Sequence, residues 1–300
     1  MAEKLADLVV PVAERLGFRR GWGLATSALI REGLPADLEG LTISQREINA
    51  VLSCGLMWQV KEIAPSRPDD VFLLRRALFV KATREFVEAA AIGESTRPME
   101  FVSDFLESEA NFDPLTNAWL LLQNERDRVE LRASLTEVIA DLLDSWPNVL
   151  DGTQVTTGPV IEDVAIGDVV FSVDTVDLTV GEHREGEGVN WAGAVLVRFV
   201  PQFPNLKDLQ DMALGALVHG IATGCPPRRL VVWGLQSRKG LGLDVTRDWM
   251  ETALASTQMA INKIADIRND RGITVVGGEH CLDCPINKSC DLSVGDEYPF

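Results

Sequence analysis

The sequence predicts an α/β protein: a mixed sheet flanked by helices, preceded by a helical region and closed by a cysteine-rich tail. Three observations predict this. Apolar residues recur at helical spacing through the first half of the chain, the period drops to two near residue 150, and strands and helices then alternate up to the tail.

Taken in order, residues 3–16 set Leu5, Leu8, Val9, Val12 and Leu16 on one helical face, with Pro11 placed to kink or shorten the element. A glycine-rich break follows at Gly21 to Gly23. Ser44-Gln-Arg-Glu47 then forms a capping box ahead of a helix through Ile48, Val51, Leu52 and Cys54 toward Trp58. Residues 69–91 and 114–144 predict two more long helices or helix pairs, with Pro68 and Pro114 at positions where a helix start tolerates proline. Val155 to Ile161, Asp168 to Val180 and Trp191 to Val200 read as strands. A helix from Asn205 to Ile221 comes next, then a strand Leu230 to Leu235 paired with Leu241 to Val245, and a long helix Thr246 to Asn269. The change of period divides the chain into a mainly helical region, 1–150, and an α/β core with its tail, 151–300.

Composition narrows the function classes. The 300 residues carry 45 acidic against 28 basic side chains, a net charge of −17. Bulk attraction to a polyanion is excluded, so nucleic acid would be met through a local basic patch or through a partner protein. No apolar run approaches the ~18 residues that span a bilayer, and the N-terminus lacks the pattern of a signal peptide, so a cytoplasmic protein without a membrane contact is expected.

Five cysteines in a reducing compartment predict a metal site rather than a disulfide framework. The tail reads Cys281-Leu-Asp-Cys284-Pro-Ile-Asn-Lys-Ser-Cys290, three thiols in an irregular stretch able to converge on one centre. Cys54 is the leading candidate for a fourth ligand and His280 a rival; Cys225 has no metal-like neighbours. Read alone, Cys54 is a small buried hydrophobe, the usual reading of a lone cysteine.

A cysteine in the segment Ser44-Gln-Arg-Glu-Ile-Asn-Ala-Val-Leu-Ser-Cys54, followed far downstream by C-x-x-C-x5-C, resembles the RecB-like nucleases of the PD-(D/E)XK superfamily. The similar members are the iron–sulfur ones, the AddB nuclease domain and the CRISPR-associated RecB-like exonucleases. The resemblance implies a restriction-endonuclease-like core and a 4Fe–4S cluster held by Cys54, Cys281, Cys284 and Cys290, with zinc as the alternative occupant. It also implies a strand with a metal-binding aspartate, a (D/E)-x-K strand and a helix bearing glutamine. Phe171-Ser-Val-Asp174 resembles the first and places Asp174 in the metal slot; Gln210 in Asp208-Leu-Gln-Asp-Met-Ala-Leu214 falls on the third. By strand alternation Asp177 points to the opposite face, toward solvent.

The middle motif departs from the family. Ala192-Gly-Ala-Val-Leu-Val-Arg-Phe-Val200 offers Leu196 and Arg198 in one register, Val197 and Phe199 in the other, and aliphatic groups have no lone pair for a hard cation. The family's histidine on the helix after the first cysteine also has no match in residues 73–82. The expectation is therefore a catalytically inactive nuclease-fold subunit of a DNA-processing, repair or defence complex, with protein partners carrying most of the DNA contact. The alternative is an active metal-dependent DNA exonuclease using Mg²⁺ or Mn²⁺ with a migrated motif. Candidate DNA contacts are Arg75, Arg76, Lys81 and Arg84 on one helix, and Arg238 and Lys239 at a hairpin tip. Trp22, beside Arg19 and Arg20, is a candidate for stacking a base or covering the core edge.

Overall fold

The computed structural model describes residues 5–9, 21–35, 38, 40–56, 58–59, 71–91, 97–108, 112–145, 153–184, 188–273, 275, 277, 281, 284 and 290. The chain is α/β, with mixed sheets flanked by helices. The helices are α1 (Leu5–Val9), α2 (Trp22–Gly33), α3 (Gln45–Ser53), α4 (Val71–Ala91), α5 (Pro98–Glu107), α6 (Pro114–Leu122), α7 (Glu125–Ser145), α8 (Leu206–Gln210), α9 (Ala213–Thr223) and α10 (Arg247–Arg268). The strands are β1 (Thr42–Ser44), β2 (Thr153–Thr157), β3 (Asp163–Ile166), β4 (Val169–Ser172), β5 (Leu178–Arg184), β6 (Gly188–Val200), β7 (Arg229–Gly234) and β8 (Lys239–Asp244).

A three-stranded sheet runs β1-β4-β3 and a five-stranded sheet runs β2-β5-β6-β7-β8. In the larger sheet only β6 and β7 are parallel, joined by the crossover through α8 and α9; the other neighbours are antiparallel. The expected pairing of the 230s with the 240s is present, with Leu230 opposite Leu243.

Strand alternation divides the interior in two. Leu196, Val200, Leu230 and Val232 face a first core with α2, α3, α9, α10 and the small sheet. Val195, Val197, Phe199, Val231 and Trp233 face a second core with α1, α4, α5 and α7. Helices from the first 150 residues thus cover both faces of a sheet built by the rest.

Three expected elements differ. The strand expected over 168–180 is two strands in different sheets: β4 ends at Ser172, residues 173–177 cross over, and β5 starts at Leu178. Val173 and Val176 kept the apolar pattern alive because they are buried in the first core without belonging to a strand. The helix expected over 205–221 breaks at Asp211 and Met212 into α8 and α9. The glycine-rich break at residues 21–23 is instead the start of α2, where Gly21 takes φ 89° before the helix begins at Trp22. Gly23 is there for helix contact: a Cβ would lie 2.5 Å from the Gly220 carbonyl oxygen in α9. Trp22 is half-buried against the first core, covering its edge.

Candidate functional site

The capping box predicted at Ser44 forms, with the Glu47 N–H donating to Ser44 Oγ at 3.4 Å and the Ser44 N–H donating to Glu47 Oε2 at 2.7 Å. It fixes the start of α3, from which Gln45 and Asn49 project toward β6 and the α8–α9 junction. A chain of polar contacts follows. The Leu214 N–H donates to Gln45 Oε1 at 2.8 Å, Gln45 Nε2 to Asn49 Oδ1 at 2.9 Å, and Asn49 Nδ2 to Asp211 Oδ1 at 2.7 Å. Asp211 Oδ2 lies 3.1 Å from Arg198 Nη1, with both side chains over four-fifths buried.

The register ambiguity of β6 is thereby resolved. Leu196 faces the first core and Arg198 shares its parity, so Leu196 and Arg198 occupy the face toward Asp174, while Val197 and Phe199 face the second core. Asp174, in the β4–β5 crossover, lies 3.4 Å from Arg46 Nε. Burial raises its carboxyl pKa; Arg46, the backbone amides of Asp174 and Gln45, and Arg198 act against that rise without cancelling it. Gln210 is exposed at the end of α8, and the side chain that reaches the corner from this segment is its neighbour Asp211. Sequence pattern missed Asp211, and the helix break that turns it inward is the missing signal. Asp177 is not solvated: its Oδ2 accepts the Phe199 N–H at 2.7 Å and its N–H donates to the Val197 carbonyl, so it extends the β5–β6 ladder by a side chain.

Chemically the corner is closed. A guanidinium offers donors and no lone pair, so Arg198 neutralises Asp211 where a hydrolytic centre would need a metal-binding acid and a water-orienting lysine. Among the described residues, no three His, Cys, Asp or Glu side chains are grouped to hold a metal ion.

The thiols present a different picture. Cys54, Cys281, Cys284 and Cys290 are free thiols. Cys54 ends α3 in an extended conformation and is 7% exposed, inside the first core; Cys284 packs against that same core. The Cys284 N–H donates to the Cys281 carbonyl at 3.2 Å. One turn past Cys54, Trp58 is 2% exposed, and its indole N–H has no hydrogen-bond partner among the described residues. An orphaned buried donor costs ~1–3 kcal/mol, and the buried Thr175 hydroxyl is likewise without a partner among the described residues. All four of these cysteines are described, and no three of them are grouped to hold a metal ion, so the cluster rests on the resemblance alone. His280 lies outside the described residues. Cys225 is half-buried in its loop, its carbonyl accepting from Thr223 Oγ1 at 2.9 Å.

The basic candidates reach internal partners. The Arg75 guanidinium sits 5.8 Å from the Phe79 ring centroid, Lys81 pairs with Glu85 at 3.7 Å, and Lys239 lies 5.4 Å from the Phe203 centroid. Arg238, at φ 55° in the β7–β8 turn, pairs with Glu137 at 3.3 Å and with Asp141. The half-buried Arg84 lies against Gly158, and the side chain of Arg76 lies outside the described residues. Arg238, Glu137, Asp141 and Phe79 line one cavity of about 200 Å³, so the hairpin tip faces acids of the helical half.

Compared with known proteins, the chain matches no protein-family model and no curated protein. No helix among the described residues is long and apolar enough to cross a membrane.

Proposed function

We propose that this chain is a catalytically inactive iron–sulfur protein with a RecB-like nuclease arrangement, acting in the cytoplasm as a subunit of a DNA-processing, repair or defence complex. The observation that carries the reading is Arg198: at the position of the family's lysine, it is ion-paired to Asp211, and Leu196 stands where the second metal-binding acid belongs. Asp174 is then left without a partner carboxylate from β6. The element order, with an aspartate-bearing crossover, a central β6, a helical crossover and the parallel β7, supports the same reading.

In this reading Cys54, Cys281, Cys284 and Cys290 hold the cluster. When bound, it supplies a covalent link between residue 54 and the tail, and such a link removes loop entropy from the unfolded chain. The net charge of −17 and the internally paired basic residues support a scaffold whose DNA contact comes through its partners. Free-chain affinity for DNA is then weak, on the order of 10⁻⁶ M or worse at physiological salt.

The direct test is cleavage of single- and double-stranded DNA by the purified chain with Mg²⁺ or Mn²⁺. The reading expects no hydrolysis above a no-enzyme control. Turnover abolished by Asp174→Ala would replace it with the active exonuclease.

A further inference from the structure

Helix α6 turns an uncharged apolar face to solvent, and neither the corner nor the cysteines account for it. We propose that this face is the seam of a two-fold dimer, in which α6 packs antiparallel against α6 of a second copy of the chain. The contact does not depend on what the cysteines hold.

Residues 114–124 carry no charge, in a chain of which 24% is charged. Trp119 and Leu120 pack against the second core and Thr116 is buried, so one side of α6 is fixed to the protein. The other side presents Leu115, Ala118 and Leu122 at steps of three and four, with Leu121 beside them, the spacing by which helices pack in pairs. Leu121 is 67% exposed and Leu122 83%. Single exposed leucines are ordinary surface, but three on one uncharged helical face form a patch. Ala118 lies at the middle of the helix and of its exposed face, so a second helix can approach closely there while leucines toward both ends interlock.

The charges at the two ends of the stripe identify the occupant. At the N-terminal end the exposed Asp113 carboxylate accepts the Leu115 and Thr116 N–H groups at 3.0 and 3.1 Å. At the C-terminal end the exposed Arg128 guanidinium donates to the Leu121 carbonyl at 3.1 Å. The nine residues of α6 span about 13 Å between them. Antiparallel packing about a two-fold axis at Ala118 sets each Asp113 beside Arg128 of the other copy, so two ion pairs close at once and the helix dipoles lie head to tail. A different protein would need the reverse charge order, which a second copy has by symmetry. Each copy carries −17, but at 0.1 M salt the Debye length of about 10 Å screens charges remote from the seam. A seam this short is smaller than a standard stable interface, so the dimer is weak and forms with rising concentration.

Sedimentation velocity of the full chain over a concentration series up to ~0.1 mM, at physiological salt, is expected to show a monomer passing into a dimer. Leu122→Glu is expected to move the midpoint at least about tenfold higher in concentration, while circular dichroism of the dilute chain stays that of wild type. Leu24→Glu, at an 81% exposed leucine of α2, is the control and is expected to match wild type. Asp113→Lys and Arg128→Glu each set like charges together twice in their own dimer, so each should weaken it several-fold. An equimolar mixture of those two variants should form a mixed dimer close to wild-type strength, because one native and one reversed ion pair then close. A chain that stays monomeric throughout the series overturns the inference. So does a dimer that Leu122→Glu leaves intact, one that Leu24→Glu weakens equally, or a mixture no tighter than either charge variant alone. Should Asp113→Lys unfold for want of its helix cap, Leu122→Glu against Leu24→Glu decides.

Discussion

The corner around Arg198 and the cysteine end of the first core lie on the same side of the larger sheet, yet they differ in what they leave unsatisfied. At the corner the charges and amides are engaged within the chain, Arg198 with Asp211, Asp211 with Asn49 and Asn49 with Gln45, while the buried Thr175 hydroxyl beside Asp174 has no partner among the described residues. At the cysteine end four thiols are free and a buried N–H has no acceptor. Charges paired within the chain make the corner a structural joint. Under the proposed function the first place is a scaffold joint and the second the binding centre.

The comparison breaks most sharply at Arg198. Arg198→Met leaves Asp211 as a buried carboxylate without its cation, and a loss of about 3–5 kcal/mol in urea-unfolding stability is expected. Adding Asp211→Leu should recover most of it, because the cost lies in the orphaned charge. A loss below about 1 kcal/mol for Arg198→Met would show that the corner is not a joint.

His219 gives the next largest effect. It is almost fully buried, its Nε2 lies 2.8 Å from the Trp191 carbonyl, and burial depresses its pKa from 6.5 to about 4. The unfolded chain therefore binds this proton first as pH falls, so the native state loses stability between about pH 6.5 and 4 and keeps it above that window. The loss is on the order of 3 kcal/mol across the window. His219→Gln should flatten that limb of a stability-against-pH curve; an unchanged limb would assign the acid lability to other groups.

Ser44→Ala removes one side of the capping box that aims Gln45 and Asn49 into the corner, for a loss of about 1 kcal/mol by thermal unfolding. The smallest effect has the opposite sign. Burial raises the Asp174 pKa, so the folded state holds this proton more tightly than the unfolded one, and the ionised form costs stability above the window that starts at 3.8. Asp174→Asn should therefore stabilise slightly at pH 7, with the gain vanishing in acid below that window. A clear loss at neutral pH would mean that the contact with Arg46 outweighs burial.

Much of the fold was legible because apolar periodicity reports burial directly. α3 with its cap, α4, α10, β6 and the β7–β8 pair all sit where spacing placed them. Periodicity failed where burial persisted without regular backbone. Val173 and Val176 continued an apolar run through a crossover between sheets. Leu206, Leu209 and Leu214 bridged a break made by Asp211 turning toward Arg198, a contact between residues that local pattern cannot relate. Gly23 read as a loop residue because the carbonyl it accommodates belongs to Gly220. At the candidate site, the empty strand position was visible as residue types alone, whereas the partner that fills it was not. The unpaired state of Trp58 is invisible to sequence, since any apolar helix hides a tryptophan equally well.

The account turns on the thiols being a binding centre, and metal content measures that directly. Anaerobically purified chain should carry about four irons with matching acid-labile sulfide and a broad absorbance near ~400 nm, as expected for a cubane held by four thiolates. Colour and stability should fall together in Cys54→Ala, Cys281→Ala, Cys284→Ala and Cys290→Ala, while Cys225→Ala stays close to wild type. Stoichiometric zinc without iron or sulfide, or a cluster that survives Cys54→Ala intact, would contradict it.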